Sequence, residues 1–291
     1  MKNFTTNLSK ALTNKGFNRV EIKEVTKNNN LQLHAVLLFE KGDEKVTPSI
    51  YIDEFFEHYK SGRSLNNIVE EIIDINEKYK PKFNVDDIFS QMDKKENLRI
   101  KVVNAKTNFL EDSIHRIICD GELAEIVISK VDVESGGHVK QLKGRLPKDI
   151  KNEDELFKVA YENTRKKCVS FTIAEVFRTR EEWEYLPNVV KAEIENSPMI
   201  IISNEDKNYG ASCLVHTDFL EEVSQKYFEN QNMIIIPSSI HECICLPYDM
   251  DLNLVKSMVC EVNATELEPD EILSNEVFIF DNTTKKLNIA K

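Results

Sequence analysis

Glycine and proline are scarce in this sequence, with eight of each among 291 residues. Chains that are rich in loops, low-complexity segments or collagen-like repeats carry far more of both residues, so these classes are excluded. Long apolar runs are also absent, and none approaches the roughly 18 residues that cross a bilayer. The opening stretch, MKNFTTNLSK, lacks the apolar segment of a secretory signal. We therefore expect a cytoplasmic globular protein with no membrane partner.

Familiar ligand motifs are missing as well. The sequence has six cysteines but no Cys-x-x-Cys pair, which argues against a zinc ribbon and, without an export signal, against a disulfide framework. Neither G-x-x-x-x-G-K-[ST] nor G-x-G-x-x-G occurs, so no known phosphate-binding loop is present. No G-x-S-x-G turn exposes a nucleophilic serine. We expect neither a metal site nor a bound cofactor.

Acidic residues outnumber basic ones, giving a net charge of −12, and the excess is concentrated at the C-terminal end. Residues 1–80 carry 12 Lys and Arg against 12 Asp and Glu, whereas residues 199–291 carry 6 lysines, no arginine and 16 acids. An acidic surface repels a phosphate backbone, and arginine is the commonest reader of bases. We therefore expect no nucleic-acid binding by the last third, which leaves the N-terminal two-thirds as an alternative.

Hydrophobic periodicity predicts an α+β protein with two subdomains. In the first, residues 1–82, a helix is followed by a β-hairpin and two more helices. Asparagines in TKNNN suit the tight turn of that hairpin, and Ser64 is placed to cap the clearest helix. In the second, residues 83–291, the patterns predict one or two mixed sheets with helices packed on a face.

Within the second subdomain, some elements are better marked than others. ASCLVH is interpreted as a strand, TDFLEEVSQKYF as a helix capped by Thr217, and residues 251–263 as a helix starting at Asp251. Residues 168–197 are interpreted as a mostly helical connection. A weak internal duplication relates residues 115–164 to residues 241–265, since each contains a cysteine-bearing strand followed by a helix.

Several stretches occur in an order typical of one family: VTKNNN, PSIYIDEFFEHYKSG, AYENT, SNEDKNYGA, PSSIHE and VNAT. From about residue 20 onward the chain resembles DUF5688, a bacterial family of unknown function common in Gram-positive anaerobes. The C-terminal half is also distantly similar to the YtpQ family. The best single match is residues 235–242, an apolar strand that runs into Pro-Ser-Ser-x-His-Glu. The resemblance implies a shared α+β architecture and supplies no catalytic residue.

The PSSIHE segment carries the side chains best suited to catalysis: Ser238, Ser239, His241 and Glu242. A hydrolase would need one serine as nucleophile, the histidine as base and an acid to orient that base. On an extended strand, however, Ser239 and His241 share a face while Glu242 points to the other. The favoured alternative is a bend whose hydroxyls bond backbone groups, with His241 satisfied by a neighbouring strand.

Two other patterns superficially resemble ion sites. SNEDKNYGA alternates polar residues as a calcium loop does, but with Asn204 as position one, Tyr209 stands where an EF-hand needs glycine. Along a strand, His241 and Cys245 would lie roughly 13 Å apart, too far to share one zinc ion. We therefore interpret the loop as a connection between two strands, with Asn204 and Gly210 as candidates for ligand binding.

The sequence favours a non-catalytic binding or regulatory module that recognises an unidentified protein or small ligand. The main support is that no acid, base, metal or phosphate motif has convincing geometry. Two alternatives remain. One is a hydrolase-like enzyme that uses Ser238 or Ser239 with His241, and the other is a nucleic-acid-associated protein that acts through its N-terminal two-thirds.

Overall fold

The chain forms two compact units, Met1–Ser90 and Gln91–Lys291. The computed structural model describes residues 1–41, 44, 46–80, 85–131, 137–237 and 239–290. Both units combine helices with antiparallel sheets, so the predicted α+β class is confirmed. The boundary predicted between residues 82 and 83 lies outside the described residues.

The first unit has the predicted order of helix, hairpin and helices. Its elements are α1 (Lys2–Asn14), β1 (Arg19–Thr26), β2 (Gln32–Phe39), β3 (Ile50–Tyr51), α2 (Asp53–Lys60) and α3 (Leu65–Lys78), followed by α4 (Val85–Met92) at the division between the units. Asn29 and Asn30 in the hairpin turn have φ of 58° and 53°, the left-handed backbone that asparagine tolerates. The predicted cap is also confirmed, because Ser64 Oγ accepts a hydrogen bond from the Asn67 amide.

The core of this unit lies between α1 and α3. Leu8 and Leu12 are fully buried on one side, and Ile68 and Ile72 on the other. The residues of each pair are four positions apart, so each helix turns a single apolar stripe inward. The hairpin completes the cluster with Val36. Packing of these stripes therefore stabilises helices that would be marginal in isolation.

The second unit contains two sheets and five helices among the described residues. The four-stranded sheet has the order β4–β6–β5 with β7 also on β6, and consists of β4 (Leu98–Asn104), β5 (His115–Ile118), β6 (Leu123–Val131) and β7 (Gly137–Lys140). The six-stranded sheet has the order β13–β12–β10–β11–β9–β8, and consists of β8 (Cys168–Thr172), β9 (Ile200–Asn204), β10 (Met233–Ile236), β11 (Cys243–Pro247), β12 (Phe278–Asp281) and β13 (Lys286–Ile289). The helices are α5 (Glu153–Arg165), α6 (Ile173–Arg178), α7 (Asn188–Glu195), α8 (Thr217–Tyr227) and α9 (Leu252–Thr265).

Four local expectations need correction. The described strand pairs are all antiparallel rather than mixed in direction. ASCLVH forms a 3₁₀ helix, Gly210–Val215, because a run buried on all sides carries no period that separates strand from helix. Residues Cys168–Thr172 form strand β8 before the helical connection begins. Thr217 is the first residue of α8 and does not cap it, since His216 occupies the cap position.

Both faces of the six-stranded sheet are covered. Ile235 and Cys245 belong to the main core, whereas Ile234 and Leu246 pack beneath Val255 of α9. Successive side chains on a strand point to opposite faces, so a strand buried on both faces must be apolar at every position. This explains the continuous isoleucine run of β10.

Thr164 links the end of α5 to strand β4. Its hydroxyl accepts a hydrogen bond from the Ile100 amide at 2.8 Å and donates one to the Ala160 carbonyl at 2.7 Å. The side chain is buried at 2% exposure, so neither group has water as an alternative partner. Because β4 lies at an edge of its sheet, this hydroxyl satisfies a backbone donor that no strand reaches.

We expect Thr164→Val to lower the free energy of unfolding by about 1–3 kcal/mol, because a buried backbone N–H loses its acceptor while the side-chain shape is kept. Urea unfolding measures the change. Thr265→Val is the matched control, since that exposed hydroxyl bonds only the Glu261 carbonyl. It should cost no more than about 0.5 kcal/mol. Equal losses in the two variants would contradict this role of Thr164.

Candidate functional site

The side chain of Asn204, the last residue of β9, closes the loop that follows this strand. Asn204 Oδ1 accepts the Asn208 amide at 3.2 Å, and Asn204 Nδ2 donates to the Asn208 carbonyl at 2.8 Å. Lys207 and Tyr209 have φ of 51° and 54°. The loop therefore joins a strand to the 3₁₀ helix Gly210–Val215, not one strand to another as the sequence predicted.

Gly210 is required for space. A Cβ atom built on Gly210 would lie 2.1 Å from Ser203 Oγ, 2.4 Å from the His241 carbonyl oxygen and 2.7 Å from the Asn204 amide nitrogen. Real Cβ contacts are never this short, and two of the three atoms belong to backbone. Only glycine therefore allows the loop to approach the segment that contains His241.

That segment, residues 239–242, is a bend. The Ser239 amide donates to the Glu242 carbonyl at 3.2 Å, and Ser239 Oγ accepts the His241 amide at 3.0 Å. The Ile240 amide donates to the Glu271 carbonyl. Strand β11 begins only at Cys243, so His241 lies in the bend and not on a strand face.

The ring of His241 binds the loop rather than a serine. Its Nδ1 accepts the Tyr209 amide at 3.2 Å, and its plane stacks on the Tyr209 ring with centroids 5.5 Å apart. Nε2 lies 3.8 Å from Glu271 Oε1. Within residues 239–242, no serine hydroxyl hydrogen-bonds the imidazole. Ser238 lies outside the described residues, and the Glu242 side chain is exposed.

A cleft opens beside the loop. Its enclosed volume is about 20 Å³, room for a water-sized group, and its walls come from β4, β6, β7, the end of α5 and the loop itself. The polar side chains that line it are Arg99, Lys130, His138, Thr164, Lys167, Asn204, Asp206, Asn208, Tyr209 and Ser212. Asn204 thus reaches the cleft, whereas Gly210 shapes the loop without lining it.

The electrostatic field of the cleft is positive. Lys130 pairs with Asp206 at 2.7 Å and Lys167 pairs with Glu205 at 2.6 Å, but Arg99 has no carboxylate partner among the described residues. Its guanidinium donates instead to the carbonyls of Glu96 and Leu98. Burial lowers the pKa of this guanidinium from its ordinary value, with Asp206 opposing the shift.

The lowered pKa of His138 is consistent with this positive field. Burial, and to a lesser extent the nearby charges of Lys130, Lys101 and Arg99, together lower the pKa of its ring to about 4 against the opposing effect of Asp206. Lys101 lies with its ammonium 4.0 Å from the Tyr209 ring centroid. Burial and the neighbouring Lys140 lower the pKa of this ammonium to about 8. The ammonium of Lys101 therefore contacts the Tyr209 ring, while Lys130 and Arg99 act on the nearby His138.

Ser212 is the exceptional residue of the cleft. Its side chain is 1% exposed, and its hydroxyl has no hydrogen-bond partner in the described part of the chain. Buried hydroxyls in native proteins are nearly always bonded, and leaving one unbonded costs about 1–3 kcal/mol. The lining of the cleft therefore contains a buried donor and a guanidinium that has no carboxylate within ion-pair distance among the described residues.

Comparison with known proteins identifies the family. The model of DUF5688, a family of unknown function, matches residues 1–282. The chain belongs to DUF5688. No curated protein and no solved structure matches it. The resemblance predicted from the motifs is thus confirmed for this family, and it extends to the first residue.

In this DUF5688 chain, two of the quoted motifs meet in space. SNEDKNYGA and PSSIHE are joined by the contacts of Tyr209 and Gly210 with His241. Sequence reasoning selected these stretches but missed Arg99, Lys130 and Ser212. Ser212 could have been noticed, because it follows the first motif directly; the basic residues lie far away in the sequence and carry no motif.

His, Cys, Asp and Glu are the remaining candidate ligand groups among the described residues. No group of three or more His, Cys, Asp and Glu in that part of the chain could hold a metal ion. All six cysteines are unpaired, and Cys213, Cys243 and Cys245 are buried. Among the helices described, none is long and apolar enough to span a membrane.

His216 is a second buried polar residue without a full set of partners. It is 5% exposed, its Nε2 bonds nothing in the described structure, and its ring meets the edge of the Tyr161 ring. Burial lowers the pKa of this ring to about 4, below its ordinary value of 6.5. The folded protein therefore keeps His216 neutral where the unfolded chain would protonate it.

We expect Gly210→Ala to cost about 3 kcal/mol of unfolding free energy or more, because the added methyl collides with backbone atoms that cannot turn away. Chemical denaturation measures the loss. Gly16→Ala is the control: its Cβ would meet nothing within 4 Å, but its φ of +105° is unfavourable. That variant should lose only about 1–2 kcal/mol. A Gly210→Ala protein as stable as the control would rule out the close approach.

We expect His216 to make stability depend on pH between its two pKa values. Below pH 6.5 the unfolded chain protonates His216, whereas the folded chain does so only near pH 4. The contribution of the neutral ring to stability is therefore complete above pH 6.5 and is lost as pH falls toward 4. His216→Gln should remove about 1–2 kcal/mol of the loss between pH 7 and pH 5. Urea titrations of both proteins at pH 7, 6 and 5 measure it, and parallel profiles would refute it.

Proposed function

We propose that this DUF5688 protein is a non-catalytic binding module that holds the anionic group of a small ligand in the cleft beside the Asn204–Gly210 loop. The observation that carries the proposal is the buried Ser212 hydroxyl, which has no hydrogen-bond partner among the residues that the structure describes. An oxyanion placed in the cleft would accept that hydrogen bond. The ligand class is therefore a small molecule with a phosphate or carboxylate group.

Arg99 supports the same ligand class. In the described part of the chain only its Nη1 atom donates hydrogen bonds, to two backbone carbonyls, which leaves Nε and Nη2 for a ligand. A guanidinium presents paired donors that match two oxygens of a carboxylate or phosphate. Its partial burial makes such a bond stronger than it would be in water. Lys130 and Lys167 would add longer-range attraction, although each already has an acidic partner.

The hydrolase alternative gains no support from the bend at residues 239–242. Ser239 Oγ is engaged by the His241 amide, and His241 Nδ1 by the Tyr209 amide. The nucleic-acid alternative is different, since Arg99, Lys130 and Lys167 belong to the N-terminal two-thirds of the chain. An enclosed volume of about 20 Å³ admits only the end of one small anionic group, not a continuous strand. An oligonucleotide is therefore included as a competing ligand.

We also propose a bacterial cytoplasmic setting and a distant relation to the YtpQ family. Six unpaired cysteines suit a reducing compartment. Detecting the protein by fractionation of a host cell tests the location. Recovery in a secreted or envelope fraction would contradict it.

We expect inorganic pyrophosphate to bind at low ionic strength, as isothermal titration calorimetry would show. Ser212→Ala should weaken binding at least about tenfold, because a hydrogen bond to a charged acceptor contributes about 1.5–3 kcal/mol, and Arg99→Gln should weaken it by at least as much. Arg178→Gln is the control, since it removes an exposed guanidinium that pairs with Glu195 away from the cleft lining.

The pKa of His138 provides a second test of pyrophosphate binding. A bound anion should raise the pKa of this ring from about 4, and ring chemical shifts measured against pH would show the change. No heat on titration, or equal affinities of wild type and Ser212→Ala for pyrophosphate, would contradict anion binding in the cleft. Tighter binding of an oligonucleotide through the same residues would favour the nucleic-acid alternative.

A further inference from the structure

The apolar surface of helix α9 is wider than the part of it that the sheet buries. Val255 and Val259 are buried against the sheet, whereas Leu254, Met258 and Val262 are 58%, 47% and 42% exposed. These three lie four residues apart, so they form one line along the helix with steps of about 40°. An apolar line adjacent to the buried face extends the surface suited to contact with another molecule.

A groove lies between this line and the sheet. Its volume is about 230 Å³, and Met199, Ile236, Ile244 and Met250 form the wall opposite α9. Asn263 is its single polar lining residue, and the Asn263 amide group already donates to the Ser274 carbonyl and to Asn275 Oδ1. Three methionines line the groove, and methionine adapts its shape to varied apolar partners.

The chain around the groove is strongly acidic. Residues 242–271 contain eight Asp and Glu, one lysine and no arginine. Asp249 and Asp251 flank Met250, and Glu261 precedes Val262, so acids adjoin groove residues in sequence. The lysine, Lys256, donates to the Ala290 carbonyl at 2.8 Å. A partner that covers the groove would therefore meet negative charge at its rim.

We propose that this groove binds a basic amphipathic helix of a partner protein. The apolar face of such a helix would fill the methionine-lined groove with anchors three, four and seven residues apart. Its lysines and arginines would face the acidic rim, which steers association and sets specificity.

Charge decides between this occupant and a second copy of the chain. A twofold dimer through the groove would place the same acidic segment against itself, since both subunits present the same patch. Like charges brought together at an interface oppose association. The groove shares no lining residue with the anion cleft, so this inference does not depend on the proposed ligand.

The experiment is fluorescence anisotropy with a labelled peptide of Leu and Lys, about 18 residues long, that forms an amphipathic helix. We expect micromolar binding that weakens as salt rises. A scrambled peptide of the same composition should bind at least tenfold more weakly, and a Leu and Glu peptide should not bind. Equal binding of the scrambled peptide would reduce the effect to charge alone and overturn the proposal.

Variants locate the binding site. Met258→Gln changes an exposed side chain and should weaken the Leu and Lys peptide at least fivefold. Val189→Gln on α7 is the control, because that valine is 71% exposed and lies outside the groove lining. Unchanged affinity of Met258→Gln would overturn the proposal. Light scattering that shows a dimer dispersed by Met258→Gln would instead assign the groove to a second copy.

Discussion

The hydrogen bond from the Tyr209 amide to His241 Nδ1 joins stretches that are 32 residues apart. Two neighbouring bonds reinforce it, from Ser203 Oγ to the His241 carbonyl and from the Ala211 amide to the Ile240 carbonyl. All three require the absence of a side chain at Gly210. His241 is therefore a positioning residue in this structure. The position of the loop in turn decides where Asn204, Asn208 and Ser212 stand in the cleft.

Local patterns predicted much of the fold. The Ser64 cap, the asparagine turn and the helix that starts after Asp251 follow from rules that act within a few residues, and each is present. The predicted bend with hydroxyls bonded to backbone groups is present, since Ser239 Oγ accepts the His241 amide. His241 was also predicted to lie on the strand that follows, whereas the strand begins only at Cys243, because this hydrogen bond ends the period of two.

The cleft could not be predicted in this way. Arg99 comes from an edge strand, Lys130 and His138 from two further strands, and Ser212 from a 3₁₀ helix more than about a hundred residues after Arg99. Their meeting depends on sheet order, which the sequence pattern does not fix. What the sequence could show were the two motifs that meet at the loop, because Asn204, Asn208 and Gly210 lie at close spacing in one and His241 follows Pro-Ser-Ser in the other.

The contacts that support the cleft stabilise the fold, whereas the cleft itself lowers the free energy of unfolding. The bonds between the loop and the bend stabilise the fold, while an unbonded Ser212 hydroxyl and a desolvated Arg99 cost free energy. Local rules are most often broken at functional sites, where a ligand supplies what the protein lacks. The direct measurement of this claim is a backbone NMR titration with pyrophosphate. Amide shifts confined to residues around Arg99, Lys167 and Ser212 are predicted, and shifts that are absent or centred on residues outside the cleft would contradict it.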